Sequence, residues 1–418
     1  METWLTSAIL VGVGALVAAM VVDAWSRAAW RRRRLALDVA RYSALADVLA
    51  RRDEAIVQNL SRSRSWDGFR NFRVTRKVQE ADNIVSLYLR PHDGRAVPAF
   101  LPGQFLTFRF HDETGGTPTI RCYSLSQAYS PELDYRVTIK RLAPPPDAPA
   151  GTPWGKSSSY FHAVEEDNVV EVGPPAGQFT LDLAAGRPVV FIAGGIGVTP
   201  FLAMTEHLAR HEPDREAWLF HGVKNPREQV AADPLRAWAE KPNFHFITCY
   251  SQPLEDGQSA QPFNEESIVT LDVLRQWLPS SNYEFFVCGP PPMMAAIMEG
   301  LREWGVPPGS IHMEAFSSET VREIGMASLL AGQTATWEVA FRGNNKKLQW
   351  RGDSGTILDL AERNGIFLPS GCRAGNCGTC AAPVLAGSFT YLSKPEARVD
   401  QGNCLVCISV PTEDMEFA

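Results

Sequence analysis

Three of the eight cysteines in this 418-residue chain fall within nine residues, CRAGNCGTC, from Cys372 to Cys380. Sulfur placed so densely constrains the local fold more than any apolar pattern does, because the backbone must wrap around whatever the thiolates hold. Cys372-x4-Cys377-x2-Cys380, followed downstream by Cys404 and Cys407, has the spacing of a plant-type two-iron, two-sulfur (2Fe-2S) site. Gly371, Gly375 and Gly378 let backbone amides come close to sulfur. A zinc site made of four cysteines is the alternative, although zinc ribbons favour two C-x2-C knuckles and the first pair here is x4. A thioredoxin-like pair at Cys377 and Cys380 would leave Cys372 without a role. The remaining cysteines, Cys122, Cys249 and Cys288, are scattered. The chain is therefore no disulfide scaffold, and a reducing compartment suits it.

A chain of this length exceeds a single hydrophobic core, so several domains are expected. The net charge of −7 is uneven: residues 1–77 carry 14 Lys/Arg against 7 Asp/Glu, leaving −14 on the rest. A basic segment on an acidic body argues against nucleic acid as a partner and suits an anionic membrane surface. Trp4 to Val22 holds no charge over 19 residues, and as a helix it would span roughly 28 Å, about the thickness of a bilayer core. Trp25, Trp30 and Arg31–Arg34 follow. Interfacial aromatics and a basic block mark a cytoplasmic end. A single-pass transmembrane anchor with the catalytic body in the cytoplasm is the expectation, since no positive n-region or cleavage site points to a signal peptide. Residues 35–60 repeat apolar positions at a helical period, and SRSRSWDGF reads as a linker.

From Phe72 the pattern changes to short alternating runs separated by Pro and Gly, as in an antiparallel β-barrel. RPVVFIAGGIGVTPFLAMTEHLA then reads as strand, glycine turn and helix. EAWLFHGV, FHFITCY and YEFFVCGP are further strands, which together give an α/β parallel-sheet domain. ATWEVAFR, KLQWR and the helical TILDLAERNG precede the cysteines. The expected organisation is a membrane segment over 1–34, a helical linker over 35–69, a flavin-binding β-barrel over 70–183, a nucleotide-binding α/β domain over 184–318 and a β-grasp-like ferredoxin domain over 319–418.

Two glycine- or proline-rich loops follow strands: AGGIGVTP, with Gly194, Gly195, Gly197 and Thr199, and CGPPPMM, with Cys288, Gly289 and Pro290. Loops at the carboxyl ends of parallel strands hold ligands, and a helix N-terminus there favours phosphate. In RCYSL, residues 121–125, an Arg, a ring and a hydroxyl on one strand can meet a flavin. Each of these signals alone is weak.

Together and in this order they resemble the ferredoxin–NADP reductase superfamily, in the form that carries a C-terminal plant-type ferredoxin. The barrel also resembles the reductase portion of flavohaemoglobins. The resemblance implies flavin contacts for Arg121, Tyr123 and Ser124 in RCYS, and for Gln104 in PGQF. It further implies a pyrophosphate loop at Gly155, Ser157, Ser158 and Ser159 in GKSSSYFH. It assigns Gly194, Gly195, Gly197, Thr199, Gly289 and Pro290 to the nicotinamide nucleotide, and puts Glu314 and Phe316 of IHMEAF near the rings. Cys288, Glu314 and Tyr123 would then stand at hydride transfer. The family pattern places the fourth cluster ligand two residues after a Leu, which selects Cys407 as the partner of Cys372, Cys377 and Cys380. Strand alternation would turn Cys404 the other way. GKSSS lacks the Arg of FMN-using relatives, so FAD is expected. His111, His162 and His207 read as surface or packing residues.

The implied activity is an NADH-dependent reductase that passes electrons through FAD and a 2Fe-2S cluster to a membrane-associated oxygenase, desaturase or demethylase. A haem protein or quinone acceptor is the alternative, and a membrane scaffold with a zinc-bound domain is the non-enzymatic one. Gln252 follows Ser251 where NADPH users place an Arg, and an amide cannot pair a phosphate dianion bidentately. NADH should exceed NADPH in kcat/KM for ferricyanide reduction by about tenfold, on the order of 1.4 kcal/mol, and Gln252→Arg should narrow that gap. Equal efficiency with both would overturn the assignment.

Overall fold

The computed structural model describes residues 66, 68–111, 118–144, 147–254, 264–316, 335–393, 395, 397 and 399–418. The apolar run Trp4–Val22 and the helical stretch 35–60 lie outside these residues. Among the described residues no helix is long and apolar enough to cross a membrane.

Six strands make the first module: β1 (Arg70–Ala81), β2 (Ile84–Pro91), β3 (Phe105–Phe110), β4 (Thr119–Ser124), β5 (Tyr135–Lys140) and β6 (Val169–Val172). They pair antiparallel in the order β4-β3-β6-β1-β2-β5. The two edges then meet, because Leu125 bridges Val137 and the Ser126 amide donates to the Arg136 carbonyl at 2.8 Å. The sheet thus closes as a barrel, which removes its edges. Alternation sends Phe72, Val74, Leu87, Leu89, Phe108 and Val137 inward, all of them buried.

The second module is a parallel sheet of β7 (Val189–Gly194), β8 (Ala217–Val223), β9 (Phe244–Tyr250), β10 (Glu284–Cys288) and β11 (Ile311–Glu314), in the order β11-β10-β7-β8-β9. Strand β7 is buried along its whole length, as a strand covered on both faces must be. Chain direction through the sheet reverses between β7 and β10, so the loops after these two strands border one crevice. The helix Thr199–His211 opens from the first loop and the helix Pro291–Glu303 from the second.

The third module is a mixed sheet of β12 (Trp337–Phe341), β13 (Lys346–Trp350), β14 (Ala381–Ala386), β16 (Asn403–Leu405) and β18 (Met415–Phe417), in the order β13-β12-β18-β14-β16. A second small sheet pairs β15 (Phe389–Tyr391) with β17 (Ser409–Pro411). The helix Ile357–Arg363 starts at Thr356, whose hydroxyl accepts from the Asp359 amide while Asp359 accepts from the Thr356 amide. Such a box satisfies two otherwise free donors. The helix buries Ile357, Leu358, Leu360 and Ala361 in a core shared with Trp350, Phe341 and Phe417. Barrel, parallel α/β sheet and small cluster-type module follow one another as the residue patterns indicate, and residues from 61 onward form one unit.

The glycines of AGGIGVTP serve two different needs. Gly195 has φ +53° with open space around its α-carbon, so a turn requires it. At Gly197 a β-carbon would lie 2.4 Å from the Cys288 carbonyl oxygen, so the close approach of the two crevice loops requires it. Backbone cannot yield as a side chain can. Gly197→Ala should cost about 1–3 kcal/mol, the usual range for overpacking, read as a lower denaturant midpoint. An unchanged midpoint would show that the loops can separate freely.

Candidate functional site

On β4, successive residues face different neighbours. Arg121 donates to the Ile120 carbonyl at 2.7 Å. Burial lowers its pKa first, and the charge of Arg373 lowers it further. The Tyr123 ring packs edge-on against Phe108 and Phe161 at 5.8 and 5.1 Å, and burial pushes its hydroxyl up. Ser124 donates to Glu314 of β11 at 3.5 Å, a buried contact that joins the barrel to the parallel sheet.

Several side chains expected to face cofactor are engaged within the protein. Gln104 accepts from the Leu101 amide at 2.9 Å and donates to the Gly177 carbonyl at 3.4 Å. Ser158 accepts from the Leu142 amide and donates to the Gly155 carbonyl, both at 3.0 Å. Ser159 accepts from Arg141 at 3.1 Å. Ser157 is half-buried beside them. These side chains shape the loop ahead of the helix Lys156–Ala163, whose N-terminus no side chain caps. The amides there remain donors for an anion. The Thr199 hydroxyl likewise donates to the Ile196 carbonyl at 3.2 Å, leaving its lone pairs rather than its proton toward other groups.

The nucleotide crevice is a cavity of about 1000 Å³ lined by Gly194, Gly195, Lys224, Ser251, Arg275 and Pro290, among others. Gly194 approaches Pro290 so closely that a β-carbon would lie 2.5 Å from its ring. Gly289 is as tight, with a would-be β-carbon 2.9 Å from the Gly194 nitrogen. His221, which residue patterns did not single out, is wholly buried and its Nε2 meets the Gly195 carbonyl at 3.0 Å. Burial pushes it down to about 4, so it holds the turn as a neutral ring. Cys288 and Glu314 are register partners on β10 and β11. Both are buried, and burial followed by the Glu314 charge pushes the thiol of Cys288 well up. Its thiol therefore stays protonated.

The cluster loop is built of amides aimed at sulfur. The amides of Ala374, Asn376 and Cys377 donate to Cys372 Sγ at 3.4, 3.2 and 3.3 Å, and the Cys372 amide donates to Cys377 Sγ at 3.2 Å. Arg373 and Gly375 adopt φ +58° and +80° to allow it. Contact between the sulfurs pushes Cys377 and Cys380 down and their partners Cys372 and Cys407 up, so each close pair shares a proton. The thiolate is the form that binds metal. Cys380 and Cys407 lie 2.9 Å apart. Cys372 and Cys377 are thus tied through the loop amides, and Cys380 lies against Cys407. A two-iron centre fits this set.

Cys404 instead meets Ser409 at 2.9 Å in the core. Strand alternation is not what separates it from Cys407. Strand β16 ends at Leu405, and Cys407 lies in the turn that follows.

All three modules converge at one point. A cavity of about 50 Å³ is lined by Arg121, Cys122 and Ser124 of β4, by Glu314 and Phe316 at the end of β11, and by Gly371, Cys372 and Asn376 of the cluster loop. Phe316 is 45% exposed there. Residues 191–299 match the oxidoreductase NAD-binding domain family, and residues 341–412 match the 2Fe-2S iron-sulfur cluster binding domain family. The flavohemoprotein of Bordetella pertussis is 33% identical over 301 residues, 71% of this chain and 70% of that protein. The chain belongs to the ferredoxin–NADP reductase superfamily. Its fold matches the flavohem-like FAD/NAD binding domain of nitric oxide dioxygenase from Vibrio cholerae O1 biovar El Tor, at 28% identity and TM-score 0.52, over 59% of this chain and 98% of that one. Phthalate dioxygenase reductase shares the fold over 84% of this chain and 98% of its own, at 23% identity and TM-score 0.52. This reductase is an NAD-dependent oxidoreductase with a 2Fe-2S domain.

The two sulfur environments differ enough to be separated by substitution. Cys407→Ser should lose the cluster's visible and EPR signals while NADH still bleaches the flavin. Cys404→Ser should keep those signals. The reverse pattern would reassign the fourth ligand.

Proposed function

We propose that this chain is the membrane-anchored reductase component of an oxygenase-type system, with NADH as donor and a membrane-associated oxygenase, desaturase or demethylase as acceptor. The observation that carries it is the small cavity where flavin motif, Glu314–Phe316 segment and cluster loop meet. When bound, the flavin would supply hydride acceptance and single-electron release, and the 2Fe-2S cluster one-electron transfer; that chemistry belongs to the cofactors. The chain's residues position the groups. The crevice glycines let backbone approach the nicotinamide nucleotide, and His221 braces Gly195 without adding charge. Ser124 and Glu314 hold the sheet end against the barrel, so the ring site stays narrow. Phe316 lines the same cavity and is partly exposed. Arg121, Tyr123, Ser124 and the loop from Gly155 to Ser159 would hold the flavin. Cys372, Cys377, Cys380 and Cys407 would hold the two irons.

Support for an oxygenase-type acceptor comes from the module order, which is shared with the phthalate dioxygenase reductase fold. Support for the anchor is the uncharged run Trp4–Val22 with its following Arg block, a pattern that sets a span and its cytoplasmic end. The full chain should sediment with lipid vesicles after carbonate washing. Residues 35–418 should stay in solution, retain flavin and reduce ferricyanide at the parental rate. A full chain that remains in solution would remove the anchor. Cytochrome c reduction should need the cluster. Reduction of a short-chain quinone that is faster and indifferent to Cys407→Ser would instead favour a quinone acceptor.

A further inference from the structure

A second cavity, of about 450 Å³, opens between the barrel and the cluster-bearing module and shares Arg121 with the first. The barrel contributes Arg109, Arg121 and Lys156 to its wall, and the module contributes Glu362, Phe367 and Arg373. The wall thus carries four cations, of which Arg109 and Arg373 are paired with carboxylates and Lys156 is engaged within the protein. Arg109 is held by Glu171 at 2.7 and 2.9 Å, and the terminal nitrogens of Arg373 hold Glu362 at 2.5 and 3.0 Å. Arg121 has no carboxylate partner among the described residues, only the Ile120 carbonyl. The Nε of Arg373 is closed off from solvent and has no partner. Two guanidinium groups are thereby brought near each other across a domain junction, and burial together with the charge of Arg373 lowers the pKa of Arg121. Like charges set this way are stabilised by an anion between them. The uncapped N-terminus of the helix that Lys156 begins adds amide donors. Phe367, on the module's side, is 64% exposed, and among the described residues no ring stacks on it.

We propose that the cluster-bearing module forms one wall of the FAD site, with the pyrophosphate held between Arg121 and Lys156 of the barrel and Arg373 of the module, and the adenine laid on Phe367. Bound FAD then pins the cluster module to the barrel, so the cofactor that receives the hydride also sets the distance over which its electrons leave. This rests on the reading of the Arg121 segment as the flavin site. FMN lacks the adenylate half, so it would occupy the barrel without reaching Phe367.

The full chain, freed of flavin with its cluster retained, is titrated with FAD and with FMN by flavin fluorescence, and iron content is measured for each variant. Phe367→Ser should weaken FAD about tenfold and leave FMN unchanged. Arg373→Gln should weaken both and flatten the salt dependence, and Arg373→Lys should recover most of the affinity. Should Arg373→Gln lose iron, being next to Cys372, Phe367→Ser decides alone. If Arg121→Gln weakens FAD while the Phe367 and Arg373 variants bind as the parent does, the module is no wall of the site and the flavin reading survives. If Arg121→Gln also binds FAD normally, the cavity holds no flavin and both readings fall.

Discussion

The structure depends on one contact: the cluster loop lying directly on β4 of the barrel. A β-carbon on Gly371 would sit 3.2 Å from a methyl of Ile120, and 2.9 Å from Cys377 Sγ. Glycine alone lets the loop come that near both. Cys122, the next residue but one on β4, then faces Cys372 and Cys377 with its thiol, and contact with those two sulfurs, ahead of burial, pushes it well up. The spacing between flavin motif and sulfur is therefore set by backbone packing, which is stiff, and not by long side chains.

The parallel sheet is locked to the same place from the other side. Ser124 and Glu314 join β4 to β11, the Ala128 amide donates to Glu206 at 2.8 Å, and Lys140 pairs with Glu228 at 2.8 Å. Phe179 and Leu181, which follow the barrel, lie in the core of the parallel sheet. Ala315, just after β11, packs in the core of the cluster module. These contacts bring the three modules to one corner.

The loops tell a more specific story about charge. The turns at the loop and helix starts are stiffened from within. Gln104, Ser158, Ser159 and Thr199 fold their polar atoms into the protein, where they stiffen those turns. Buried His221 does the same for Gly195 while staying neutral. These side chains are already fixed before any charged group arrives.

Much of this was legible in the residues. Sulfur spacing named a two-iron site because four ligands at that separation leave few other solutions, and period-two against near-continuous apolar runs separated barrel from parallel sheet, since the pleat and two-sided burial dictate those patterns. Positions where glycine stands at a strand end were also readable, because only backbone approach or positive φ demands it. What tertiary structure alone decided involves residues far apart in the chain. Arg121 shares a cavity with Arg373, Cys122 meets Cys377, and Ser124 meets Glu314 only once three modules dock, and no local pattern encodes docking. Nor could residue type tell that Ser158 and Thr199 turn inward, since a hydroxyl bonds whichever backbone group folding brings near. The family pattern favoured Cys407 over Cys404, and it is the turn after β16, set by how the strand ends, that lays Cys407 beside Cys380.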